Sequence, residues 1–284
     1  MKKSISIWSF YGDWDLRQKM QLAKDAGFEG IELDISDEGP ISLNTSSDEH
    51  RQIREIAENV GICISGMATG LYWGNNPASA SAETRDKAKQ VLLKQINAAA
   101  DLGVDAVLVV PGSVGADFIP GCEEIPYDLA WQRASEFVRD ALPLAEELGV
   151  TIGIENVWNK FLLSPLEMRS FIDRFESERV GSYFDVGNVL ATGYPEHWVP
   201  ILGDRIKRVH VKDYRRAVGS VDGFVDLLSG DVNWPAVVRA LKEIGYSGWV
   251  AAEMIPPVPF YKHAPETLID NTSRAMDKIL AMSG

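Results

Sequence analysis

The sequence predicts an α/β fold of the (β/α)8 type, a TIM barrel, with residues 1–284 forming one domain. Short apolar, β-branched runs alternate with longer amphipathic stretches, and eight such units can be counted, the pattern of parallel βα repeats. Several of the amphipathic stretches end in the same way, at Ala26-Gly27, Val60-Gly61, Leu102-Gly103, Leu148-Gly149 and Ile244-Gly245, each just ahead of a strand. Glycine there takes the left-handed conformation and releases the chain into the next strand. The first strand is followed by Trp8-Ser9-Phe10-Tyr11-Gly12, not by the glycine-rich phosphate turn that usually opens a doubly wound open sheet.

The expected strands are 4–8, 30–34, 62–67, 106–110, 151–155, 182–185, 208–212 and 249–253. The expected helices are 15–26, 48–59, 83–102, 127–148, 165–175, 195–202, 234–244 and 265–282, of which 195–202 is the weakest. A repeat of about 35 residues suits a barrel of ordinary size with loops. Segments 70–82, 111–126 and 213–231 are longer connections, rich in glycine, serine and aromatic residues, that are candidates for covering an active site.

Composition restricts the function classes. With 45% hydrophobic residues the chain can bury a core unaided, and a net charge of −13 repels phosphodiester backbones and anionic lipid headgroups. Neither nucleic acid nor membrane is an expected partner. Cys63 and Cys122 stand far apart without a CxxC companion, which suits a reducing compartment. Lys2 and Lys3 ahead of an apolar run resemble the start of a signal peptide, but Asp13 and Asp15 cut that run short, so a cytoplasmic location is expected.

Four consecutive strands end in a residue that can bind a metal: Glu155, Asp185, His210 and Glu253. They lie 30, 25 and 43 residues apart, one βα unit each, with the long 213–231 loop accounting for the last interval. In a barrel such positions converge on the C-terminal mouth. If Glu155 points inward, strand alternation also places Tyr183 with Asp185, Arg208 with His210 and Lys212, and Ala251 with Glu253 on the inside, while Ile154, Phe184, Val209 and Val250 face the helices. Taken singly, each residue is better explained as a cap, an ion-pair partner or a hydrogen-bonded core histidine. Together, three carboxylates buried side by side without a cation would cost several kcal/mol per unpaired charge, although Lys212 and Arg208 could offset part of it in an ion-pair cluster. The oxygen-dominated set suits Mn²⁺ or Mg²⁺, with Co²⁺ and Zn²⁺ as alternatives.

Glu155-Asn156, Phe184-Asp185-Val186-Gly187-Asn188, Val209-His210-Val211-Lys212-Asp213, Gly230-Asp231-Val232-Asn233-Trp234 and Ala252-Glu253-Met254 together resemble the sugar phosphate isomerase/epimerase group of xylose-isomerase-like TIM barrels. That group includes ketose 3-epimerases and L-ribulose-5-phosphate 3-epimerases. The resemblance implies one divalent metal, Mn²⁺ first, held by the four residues. It also implies proton transfer by Glu155 and Glu253 through a metal-stabilised enediolate, with Asp185 and His210 serving purely as ligands. Two carboxylates on opposite faces of a bound sugar are what removal and return of a proton beside a carbonyl requires. Aldose–ketose isomerisation and dehydration of an inosose would use the same site, and a non-catalytic sugar-binding barrel is the alternative from another class. The related endonucleases that cut at abasic sites need a histidine-rich metal cluster, and this chain has four histidines in all.

Ketose 3-epimerases usually carry a histidine where this chain has Asn188, as in the sugar-phosphate branch; an amide can still bond a substrate oxygen. Arg216 falls where the epimerases place a substrate-binding arginine. Lys212, Arg215 and Arg216 together suit either a phosphate or a solvated charge cluster. Trp8, Trp14, Tyr72, Trp73 and Trp158 are candidates for apolar walls around a sugar. Glu32, inward at the end of the second strand, is a candidate for a substrate hydroxyl, with capping or ion pairing as its other role. The apolar loop 255–261 favours homo-oligomerisation.

Overall fold

The computed structural model describes residues 1–255 and 261–282. In chain order the elements are β1 (Lys2–Ser6), α1 (Leu16–Asp25), β2 (Gly30–Asp34), α2 (Ser47–Val60), β3 (Cys63–Ala68), α3 (Ala82–Leu102), β4 (Ala106–Val109), α4 (Tyr127–Leu148) and β5 (Thr151–Glu155). There follow α5 (Pro165–Asp173), β6 (Val180–Asp185), the single turn α6 (Val186–Val189), α7 (Pro195–Leu202), β7 (Ile206–Val211), β8 (Asp213–Tyr214), β9 (Phe224–Val225), α8 (Trp234–Glu243), β10 (Trp249–Ala252) and α9 (Glu266–Leu280). Eight parallel strands close in the order β1-β10-β7-β6-β5-β4-β3-β2, and β8 with β9 makes a small antiparallel hairpin beside the barrel. The (β/α)8 expectation is met. Most of loop 255–261, read as a partner-seeking segment, lies outside the described residues.

Local chemistry explains the element boundaries. Asp15 and Ser46 open α1 and α2 with reciprocal capping boxes to Gln18 and Glu49, satisfying backbone donors that the first turn leaves free. Gly61, Gly103 and Gly149 close α2, α3 and α4 at φ of 78°, 74° and 69°, the left-handed geometry expected of them. Apolar strand residues such as Ile31, Val107, Ile154, Phe184 and Val209 are sealed between barrel and helices. Across the barrel interior reaches Tyr183, and it does so because a Cβ at Gly66 would lie 2.3 Å from its hydroxyl and one at Gly153 would lie 2.8 Å from its ring. Arg208 runs the other way, giving Nε to the Ser65 carbonyl and pairing with Asp105, so it does not share the carboxylates of the mouth.

Candidate metal and active site

Glu155 ends β5, Asp185 ends β6, His210 is the penultimate residue of β7 and Glu253 follows β10 directly. β5, β6, β7 and β10 are successive staves, with Asp185 paired to His210 and Ala251 paired to His210 in register. One ligand atom from each of the four residues lies within 4.8 Å of the others, and all four residues are buried.

Neighbouring polar groups fix each side chain. Asp185 caps the one-turn α6, its Oδ1 accepting from the Asn188 backbone at 2.7 Å, which leaves Oδ2 facing the cluster. Asn156 ties β5 to β6: its amide donates to the Asp185 carbonyl at 2.8 Å and accepts from the Asp185 N–H at 2.9 Å. His210 donates Nε2–H to both oxygens of Glu32 at 2.9 Å, so Nδ1 is the nitrogen turned to the carboxylates, 3.4 Å from Glu253 Oε2. Lys212 places its ammonium 3.0 Å from Asp185 Oδ2 and bonds Glu253 Oε2.

The electrostatics follow from burial and these neighbours. Burial, reinforced by the charge of Glu253, lifts the Glu155 carboxyl well above the ordinary carboxylate range. Burial acts on Glu253 in the same sense, but the cations of Lys212 and His210 outweigh it and hold that carboxyl below its ordinary value. Burial alone would lower the His210 imidazole; Glu32 and Glu253 reverse that and raise it well above its usual value. Without a metal the two carboxyls are thus pushed in opposite directions, Glu155 toward holding a proton and Glu253 toward releasing one.

Asp185 Oδ2 and His210 Nδ1 are buried and make no regular hydrogen bond, their nearest polar contacts being the Lys212 ammonium at 3.0 Å and Glu253 Oε2 at 3.4 Å. An imidazole nitrogen, once it has released its proton, and a carboxylate oxygen, set in a buried cluster with two further carboxylates, make a donor set that a divalent cation would complete. The residues fit such an ion.

Above the cluster opens a cavity of about 450 Å³, walled by Trp8, Trp73, Phe118, Trp158 and Phe224, with Glu155, Glu253, Lys212, Asn188 and Thr69 in its polar lining. Asp185 and His210 do not reach it. An adjoining chamber of about 420 Å³ shares Phe118, Trp158 and Asn188 and carries Arg216.

Several expectations are corrected here. Of the two roles open to Glu32, the ion-pairing one is seen and not the one toward a substrate hydroxyl: it is fully buried, pairs with His210 and accepts from the Tyr183 hydroxyl as well. Trp8 lines the cavity from a 3-10 turn, Ile7–Ser9, because β1 already ends at Ser6. Tyr72 is buried and donates to Gln95, while Trp14 packs edge-on against Phe10, so neither walls the cavity. The Lys212, Arg215 and Arg216 set is divided: Lys212 turns into the carboxylates, Arg215 is exposed, and Arg216 stands in the second chamber over the Tyr194 ring, donating to the Leu190 carbonyl. Sequence reasoning assigned no role to Asn156, although its place after Glu155 was visible. Nor did it assign one to Asp213, whose Oδ2 accepts from Trp234 Nε1 and whose Oδ1 accepts from the Val232 N–H. These bonds connect the 209–213 and 230–234 segments.

Fold and site together define a (β/α)8 barrel with an acidic, metal-competent cluster at the C-terminal mouth. A model of the family of xylose isomerase-like TIM barrels matches residues 20–278, and the chain belongs to that family. An uncharacterised protein of Methanocaldococcus jannaschii is 29% identical over 184 residues, covering 63% of this chain and 60% of that protein. Escherichia coli K12 SgbU, whose activity as an L-ribulose-5-phosphate 3-epimerase is itself a proposal, is 25% identical over 244 residues, 84% of this chain and 82% of its own. Among solved structures, a D-psicose 3-epimerase with D-tagatose from Clostridium cellulolyticum H10 superposes with a TM-score of 0.81 at 18% identity, over 99% of both chains. The IOLI protein with a binding zinc atom superposes at 0.80 and 18% identity, over 99% of this chain and 98% of that one. These two likenesses show the shared fold.

Proposed function

We propose that this chain is a divalent-metal-dependent isomerase or epimerase of a ketose, keto-polyol or sugar phosphate, with Glu155 and Glu253 as its proton-transferring pair. One observation carries the reading: of the four clustered residues, only Glu155 and Glu253 line the cavity, and they enter it from β5 and from the end of β10, with β6 and β7 between them. A carbon held between them can lose a proton to one carboxylate and receive one from the other, which inverts its configuration or moves its carbonyl. When bound, the cation, with Mn²⁺ first and Mg²⁺, Co²⁺ or Zn²⁺ as alternatives, would supply positive charge against the negative charge that develops on the substrate oxygens. Asp185 and His210, closed off from the cavity, would hold that ion. The zinc atom of the IOLI structure supports a metal in this fold, and the epimerase names of SgbU and the Clostridium protein support the reaction class.

Asn188 donates toward Glu155 Oε1 at 3.5 Å and lines both chambers, so it is placed to meet a sugar hydroxyl between them. Arg216 makes no ion pair among the described residues, and a phosphate reaching the second chamber would meet its guanidinium. The aromatic walls would exclude water and stack on apolar sugar faces. We take residues 1–284 as one cytoplasmic domain, and side chains exposed about half or more, Leu163, Leu166 and Tyr194, as support for self-association.

Proton NMR in D₂O with a panel of ketoses, ketose phosphates and inososes tests the reading. Deuterium entering a carbon beside the carbonyl is the expected result, and Glu155→Gln should slow that exchange by about 10²-fold or more while the fold is kept. Exchange undiminished in Glu155→Gln would remove it from the proposed role. Loss of water in place of exchange identifies a dehydratase, and no reaction across the panel favours a sugar-binding barrel.

A further inference from the structure

We propose that Lys212 is a resident counter-cation of the metal centre, competing with the divalent ion for Asp185 and Glu253 and so weakening its binding; the inference rests on the metal reading above. The ammonium lies 3.0 Å from Asp185 Oδ2 and bonds Glu253 Oε2, two of the four groups that would hold the ion. Its side chain is held in the interior, Lys212 being 3% exposed. No other lysine or arginine pairs with Glu155, Asp185 or Glu253 among the described residues. Its seat is built for it. A Cβ at Gly187 would lie 2.4 Å from Lys212 Cγ and 2.6 Å from its carbonyl oxygen, so the glycine after Val186 admits the lysine stem, while the Phe224 ring lies 5.4 Å from the ammonium on another side.

Charge makes the consequence definite. An acidic cluster of this kind needs positive charge to remain buried, and with the ion absent the Lys212 ammonium is, among the described residues, the lysine or arginine charge that supplies it. With the ion present, a divalent charge and an ammonium share the same two carboxylates and repel one another across a few ångströms of low-dielectric interior. Lys212 thus holds the site in shape when it is empty and makes the ion easier to lose when it is full.

The test compares Lys212→Met and Lys212→Arg with the unchanged protein, after metal removal, at pH 8. Mn²⁺ affinity is read by competition with a chelator and the melting temperature is read with and without Mn²⁺. Lys212→Met should bind Mn²⁺ at least ten-fold more tightly, melt earlier without the ion and gain more from adding it, while Lys212→Arg stays near the unchanged protein. If stripped Lys212→Met does not fold, Lys212→Gln purified with Mn²⁺ should release the ion to excess chelator at least ten-fold more slowly. Equal or weaker affinity, or equal or faster release, overturns the role of the lysine. The metal reading is judged separately: it stands if the unchanged protein binds one Mn²⁺ that Asp185→Ala loses, and it falls, together with this inference, if the unchanged protein binds none.

Discussion

His210 serves the cluster through Nδ1 only because Glu32 occupies Nε2. Glu32→Gln would remove the charge that orients this ring while keeping the side chain's size. Mn²⁺ affinity should fall by about 10- to 100-fold with the circular dichroism spectrum unchanged, the usual effect of losing a partner behind a metal-binding histidine. An unaltered affinity would show that the ring is held by packing against Tyr183 alone, whose centroid is 4.9 Å away. The raised Glu155 and His210 values carry a second prediction at this scale. Groups whose values lie above their ordinary ones still hold protons where free carboxylates and imidazoles have released them, and a metal must displace those protons. Affinity should therefore rise as pH increases through neutrality, with protons released on binding; calorimetry in two buffers of different ionisation enthalpy counts them. The inward face of Glu32 was legible from strand alternation, but its depth was not. Alternation gives the side of the sheet, whereas height along the barrel depends on stagger, and the β2–β3 register shifts between Ile31 and Glu32.

At the scale of elements, the caps and glycines marked the helices closely, and even the weakest unit, α7, begins and ends where the sequence places it. Pro195 in its first turn presets the helical φ and needs no hydrogen-bond partner there. The β8–β9 hairpin was not legible, because strands of two residues have no periodicity to read. What fixes it is Asp213, fully buried, which accepts from the Tyr214 and Val232 backbones and from Trp234, across a close approach that a Cβ at Gly230 would block at 2.2 Å. Asp213→Ala would strand these donors in a buried setting. It should cost about 2–3 kcal/mol in urea unfolding and open 215–231 to limited proteolysis. Because Asp213 supplies no atom to the four-residue cluster, Mn²⁺ should still bind. Protection of the loop equal to that in the unchanged protein would show that the aromatic contacts of Tyr214 and Phe224 suffice to hold it.

Across the whole molecule the work is unequally shared. β5, β6, β7 and β10 carry the cluster, whereas β1 to β4 and their loops add wall residues such as Trp8, Trp73 and Leu108. The sequence exposes this division because chemistry at a barrel mouth repeats with the βα unit, so an interval of one unit and a shared inward register group the ligands. It hides the two-chambered cavity, since Phe118, Trp158 and Arg216 meet there from three loops whose paths no local pattern dictates. A cation bound by four adjacent staves would fasten one side of the mouth and leave the opposite side to its own packing. Hydrogen exchange followed with and without EDTA should show this asymmetry: faster exchange on chelation around 155–157, 185–189, 210–214 and 251–255, and little change in β2, β3 and β4. Bound ligand stabilises by RT ln(1 + [L]/Kd), about 4 kcal/mol at a thousand-fold excess over Kd, and that increment is confined to segments whose opening breaks the site. Uniform acceleration around the barrel would mean instead that the staves open together, and that the ion contributes to global stability and not to the mouth alone.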